Sequence, residues 1–185
     1  MYKRQVEAGS AELTEVVKVD IGEVRSGERI APDRLLMVGE EGSALVGTDG
    51  AVVRTWPTRD GEATVLHRAG TKCAVVQPNA NLQIEGDGVE LIDIATGETL
   101  VELSASVESF SGDGCSLTTL VPPQMLVLGG EIVDLGDAER VATFDVATRR
   151  AVLVHDGDDG VRFELLDLAS GETTELPEGG YRFYP

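Results

Sequence analysis

The chain has 185 residues, of which 42% are apolar and 4% aromatic, and its 33 acidic against 15 basic side chains give a formal net charge of -18 at pH 7. A field of that sign repels phosphate backbones and argues against nucleic acid as a partner, while the absence of any run of about 18 apolar residues leaves nothing that spans a bilayer as a helix. Val, Leu, Ala and Ile supply most of the apolar fraction, which suits many short strands packed face to face.

Met1-Tyr2-Lys3-Arg4-Gln5 resembles the translation of a transposon-based sequencing adapter, so fold reasoning starts at Val6. Residues 6–29 read as the end of one repeat unit, and 30–185 as the units that follow. Ile30-Ala31-Pro32-Asp33-Arg34-Leu35-Leu36 is an apolar residue, a tight turn and a strand. Residues 66–75 are a looser version, 110–117 and 144–152 are close ones, and Phe183-Tyr184-Pro185 opens another. These anchors, at 30, 66, 110, 144 and 183, step by 36, 44, 34 and 39 positions.

A second marker runs beside the first. Leu91-Ile92-Asp93-Ile94-Ala95-Thr96-Gly97-Glu98-Thr99 returns almost unchanged as Leu165-Leu166-Asp167-Leu168-Ala169-Ser170-Gly171-Glu172-Thr173. Ile132-Val133-Asp134-Leu135, with Ala138-Glu139 in the Gly-Glu place, divides the 74-residue interval between the two Asp residues into 41 and 33. With Gly27-Glu28 and Gly61-Glu62 added, the series predicts one turn per unit at an interval of three to four dozen residues, the length of a four-stranded repeat module.

The last unit shows the four strands best, predicted at 140–144, 150–155, 161–168 and 173–176. Asp49-Gly50, Asp87-Gly88, Asp113-Gly114 and Asp159-Gly160 are expected to supply the positive-φ positions of tight hairpins, and Gly97 and Gly171 the left-handed position of a longer loop. In Val161-Arg162-Phe163-Glu164-Leu165 the alternation puts Val, Phe and Leu on one face and the charges on the other. Met125-Leu126-Val127-Leu128 reads instead as a strand packed on both faces.

The phrasing Ser111-x-Asp113-Gly114-x-x-Leu117, followed by apolar-Asp-apolar-x-[Ser/Thr]-Gly-Glu, resembles the blades of bacterial WD40-like and TolB-like β-propellers over residues 12–185. Gly-His and Trp-Asp pairs are missing, so the hydrogen-bonded tetrad of eukaryotic WD40 repeats is not implied. The resemblance implies an all-β propeller of about four complete four-stranded blades; open end blades would forgo several apolar burials, so a larger ring of six to eight is expected, with a closed four-bladed ring as the alternative. Architecture does not fix function.

Several residues are candidate sites. Cys73 and Cys115 stand at matching places of neighbouring units, where either a disulfide or two buried thiols fits, and neither has metal-ligand spacing. His155-Asp156-Gly157-Asp158-Asp159-Gly160 is the densest set of oxygen ligands for Ca²⁺, yet Asp and Gly are also what a solvated hairpin tip requires. Trp56, beside Arg54 and Pro57, fits a ligand face or ordinary packing. His67 and His155 are the two histidines, and no nucleophile elbow, zinc-protease or phosphate-loop motif accompanies them. No catalytic, cofactor-binding or metal-binding residue is assigned, and no cofactor is expected.

The expected function is that of a non-catalytic binding or scaffolding propeller in a bacterial exported or cell-envelope protein. Its ligand, a protein or a small molecule, would sit at an axial face where loops converge. The bacterial source is read from a basic set that is almost all Arg, with Lys only at 3, 18 and 72, as GC-rich genomes encode. An accessory propeller of a larger enzyme, such as a prolyl-oligopeptidase-like serine hydrolase, is the alternative. A sugar- or lactone-cleaving propeller with a central metal is the third class.

Overall fold

Short runs of Val, Leu, Ile and Ala, broken every few residues by Gly, Asp or Pro, can only build short strands, and those observed are three to eight residues long. The computed structural model describes residues 19–58, 64–77, 88–103, 107–119, 124–157 and 160–177. Among them there is no helix, and hence none long and apolar enough to cross a membrane. The protein is all-β, with four antiparallel four-stranded sheets, each taken up in chain order.

By internal contacts the chain divides into two compact units, Met1–Ser104 and Ala105–Pro185. The first holds one sheet of β1 (Val24–Ala31), β2 (Arg34–Gly39), β3 (Gly42–Gly47) and β4 (Val52–Pro57), and a second of β5 (Val65–Ala69), β6 (Cys73–Gln77), β7 (Val89–Asp93) and β8 (Thr99–Leu103). Ile30, Leu36, Leu45 and Trp56 of the first sheet close against Ala74, Val76, Ile92 and Ile94 of the second and its loop. Each large side chain buried there contributes about 1.5–3 kcal/mol.

The second unit holds a third sheet of β9 (Val107–Phe110), β10 (Ser116–Thr119), β11 (Leu126–Leu128) and β12 (Glu131–Val133), and a fourth of β13 (Arg140–Asp145), β14 (Arg150–Gly157), β15 (Gly160–Asp167) and β16 (Thr173–Glu175). Leu126 packs there with Val141, Ala151, Leu153 and Leu166, and with Ala138 of the joining segment. Inner strands are buried on both faces, so their sequences lose alternation: Leu126 and Val127 are both fully buried, and so are five consecutive residues of β14. Outer strands lie open, and all three residues of β16 are exposed.

The sheets share a backbone device. The residue after the third strand donates its N–H to the carbonyl just before the second: Thr48 to Asp33 at 3.0 Å, Ile94 to Lys72 at 2.8 Å, Gly129 to Cys115 at 2.8 Å and Leu168 to Arg149 at 2.9 Å. This equivalence aligns the four sheets residue by residue. The anchors Ile30, Leu66, Phe110 and Phe144 all fall in first strands, whereas the Gly-Glu marker does not keep one place. Gly97-Glu98 and Gly171-Glu172 join third and fourth strands, but Gly27-Glu28 lies inside β1 and Ala138-Glu139 precedes β13. In the third sheet the equivalent turn is Gly129-Gly130, and Asp134 instead caps a separate turn through the Gly136 N–H at 2.9 Å. Met1–Gln5, Gly61-Glu62 and Phe183-Tyr184-Pro185 lie outside the described residues.

Candidate functional site

The repeated sentence of the sequence is a loop-closing device. Asp93 Oδ1 accepts the N–H groups of Ala95 and Thr96, each at 2.8 Å, and Asp167 Oδ1 those of Ala169 and Ser170 at 2.9 and 3.0 Å. Four residues past each Asp the chain must turn left-handed, and Gly97 and Gly171 do so at φ 73° and 74°. A third copy stands in the β13–β14 loop. Asp145 Oδ1 accepts the Ala147 N–H at 2.9 Å, Oδ2 accepts the Thr148 hydroxyl at 2.9 Å, and Arg149 takes the glycine's place at φ 53°. The Thr148 hydroxyl first, then the Ala147 N–H, hold the Asp145 carboxyl below its ordinary value. For Asp167 the Ser170 N–H leads, followed by that of Ala169.

Of the turns expected from Asp-Gly pairs, Gly50, Gly114 and Gly160 have positive φ. Gly88 does not; it stands directly before β7, and its neighbour Asp87 lies outside the described residues.

Three residues before Asp93 and Asp167 stand Glu90 and Glu164, each opposite a second Glu, Glu102 and Glu175, on the fourth strand. Alternation sets Arg162 and Glu164 on the face opposite Val161, Phe163 and Leu165; on that face Glu164 stands beside Leu166, on the side that meets Leu126 and Leu153, and its side chain is 18% exposed. A charge there needs partners, and the two glutamates find different ones.

Glu90 is saturated. Arg54 Nη2 lies 2.7 Å from Glu90 Oε2, the Thr99 hydroxyl donates to the same oxygen at 2.6 Å, and Arg54 Nη1 also donates to Thr99 Oγ1 and the Gly97 carbonyl at 2.6 and 2.9 Å. The guanidinium carbon stacks 4.7 Å above the Trp56 ring centroid. Trp56 itself is 4% exposed and belongs to the core, with a buried Nε1 that has no hydrogen-bond partner. Its ring is therefore the floor under Arg54, not an open ligand face.

Glu164 is not saturated. His155 Nε2 lies 3.3 Å from Glu164 Oε2, and His155 Nδ1 lies 3.5 Å from Asp137 Oδ1 in the segment joining the third and fourth sheets. Arg162 Nε is 3.7 Å from Glu164 Oε1. The Nε2 contact is close in distance but misaligned, leaving a buried ring nitrogen without a made hydrogen bond. The hairpin read over residues 155–160 is narrower than expected: β14 runs through Gly157, which pairs with Gly160, so His155 is a strand residue only 9% exposed, and residues 158 and 159 lie outside the described residues.

The other candidates have local roles. His67 is exposed, with Nε2 2.8 Å from Gln77 Oε1. Cys73 and Cys115 are both disulfide-bonded, with no free cysteine left. They are not equivalent positions either, since Cys115 aligns with Lys72 and thus stands one residue earlier than Cys73. Among the described residues no group of three or more His, Cys, Asp or Glu is placed to hold a metal ion. The two ring nitrogens of His155 face different carboxylates on opposite sides, which is an orienting arrangement rather than a shared coordination point.

No protein-family model and no curated protein matches the chain.

Proposed function

We propose that the chain is a non-catalytic binding or scaffolding β-propeller, its four sheets serving as blades, within a bacterial exported or cell-envelope protein. A protein or small-molecule ligand is taken at an axial end, where loops from successive blades gather. The observation that carries this is the meander repeated four times in succession, each sheet built in chain order from four antiparallel strands. A four-stranded sheet of this kind cannot cover both faces alone, so neighbours are needed on each side. The shared second-to-third-strand hydrogen bond supports treating the four sheets as copies of one module. Both cysteines being oxidised supports an oxidising compartment.

The test is an experimental structure of the purified chain together with turnover assays on chromogenic esters, glycosides, lactones and peptides. Sheets radiating from one axis and no turnover above buffer are expected. A two-layer sandwich would overturn the propeller, and turnover abolished by His155→Ala would overturn the non-catalytic reading.

A further inference from the structure

Among the described residues the His155 cluster is the buried titratable constellation that packing leaves incomplete. A neutral imidazole carries one N–H and can donate to only one of its two carboxylate neighbours, whereas the imidazolium donates to both. Both distances, 3.3 Å to Glu164 and 3.5 Å to Asp137, are longer than the roughly 2.7–2.9 Å of a charge-assisted bond. The two neighbours belong to different parts of the second unit. Glu164 is fixed in β15, while Asp137 is 89% exposed in the segment of residues 134–139 that carries the chain from β12 to β13.

We propose that His155 is a proton-operated fastening: protonation draws Asp137 onto the ring and ties the segment joining the third and fourth sheets down to β14 and β15. Glu164 supplies the buried counter-charge that holds the ring from the other side. Other charged groups facing this spot are Arg162, which shares Glu164, Glu175 opposite Glu164 on β16, Glu139, whose N–H bonds the Val154 carbonyl beside His155, and Asp156, the residue after His155, which Arg140 of β13 engages at 3.8 Å. Imidazole is the side-chain type whose charge ordinarily changes between about pH 5 and 8, while guanidinium and carboxylate groups ordinarily change charge outside that range. The sign follows: the fastening is present in the acid part of that window and is lost as the pH rises.

Amide hydrogen exchange of the whole chain, corrected for the intrinsic pH dependence of exchange, reads this directly. At about pH 5.5 the amides of Gly136, Asp137 and Ala138 should be protected roughly threefold more than at about pH 8, the scale expected of a largely exposed partner. His155→Gln should remove the difference, and so should Asp137→Asn, a surface change that leaves the fold intact. Equal protection at both pH values in the unmodified chain, or a difference that survives Asp137→Asn, overturns the proposal.

Discussion

Glu90 and Glu164 occupy the same place in two copies of one module, three residues before the loop-closing Asp and opposite a Glu on the neighbouring strand. Their surroundings differ in kind. Around Glu90 the cation is an arginine, always charged, forked across a carboxylate, a hydroxyl and a carbonyl, and floored by an indole. Around Glu164 the nearest nitrogen belongs to a histidine, at a distance and angle that make no hydrogen bond. The backbone fixes where the carboxylate stands; the partner decides whether the site is a rigid clamp or responds to protons.

Breaking the clamp gives the largest expected effect. Arg54→Met leaves Glu90, with a side chain only 12% exposed, without its cation and releases the Gly97 carbonyl; a loss of about 2–3 kcal/mol is expected by chemical denaturation. Adding Glu90→Gln to Arg54→Met should recover part of it, because the orphaned charge is then gone.

Alanine at the two loop glycines sharpens the same contrast. Both lie at left-handed φ, so each substitution costs about 1 kcal/mol for conformation alone. At Gly97 the added methyl would meet Arg54 Cβ and Val53 Cγ1 at 3.0 Å, while at Gly171 nothing lies within 4 Å. Gly97→Ala is therefore expected to cost about 2 kcal/mol and Gly171→Ala about 1, as thermal and denaturant melts will show. Equal costs would mean that the clamp does not press on its loop.

Arg149 is the third member of that loop family without its glycine. Arg149→Gly should stabilise the protein by about 0.5–1 kcal/mol, the left-handed strain removed less the extra freedom of an unfolded Gly. The smallest effect is acid loosening at Asp145 and Asp167. Their folded values are lowered, so the contribution is whole above the ordinary Asp range near about pH 4 and is lost as the pH falls through the lowered values. Exchange of the Ala147 and Ser170 amides between about pH 5 and 2 should follow that course, and Asp145→Asn or Asp167→Asn should flatten it.

Much of this was legible in the sequence. The strands predicted at 140–144, 150–155, 161–168 and 173–176 match β13 to β16 within a few residues, because Asp, Gly and Thr punctuate them chemically. The Gly-Glu series misled because the dipeptide marks this loop only when an Asp stands four residues before a true glycine: Gly27 lacks the Asp and falls inside β1, and the Ala138 copy keeps Asp134 but lacks the glycine and precedes β13. The reverse error hid the Asp145 loop, which keeps the Asp, Ala and Thr but lacks the glycine that announces a left-handed turn. The partners of Glu164 were not legible, because a single strand does not show a histidine two positions away across the sheet. The Arg54 clamp joins residues some 36 to 45 positions apart, and Arg-Thr-Trp in a strand has no pattern that announces it.

The hydrogen bond shared by Thr48, Ile94, Gly129 and Leu168 runs from main chain to main chain. It asks nothing of the side chain, which is why a hydroxyl residue, two aliphatic ones and a bare glycine all serve. Such a joint tolerates unlike side chains at four matching places, and proline, which has no N–H to give, is the replacement it forbids by chemistry alone.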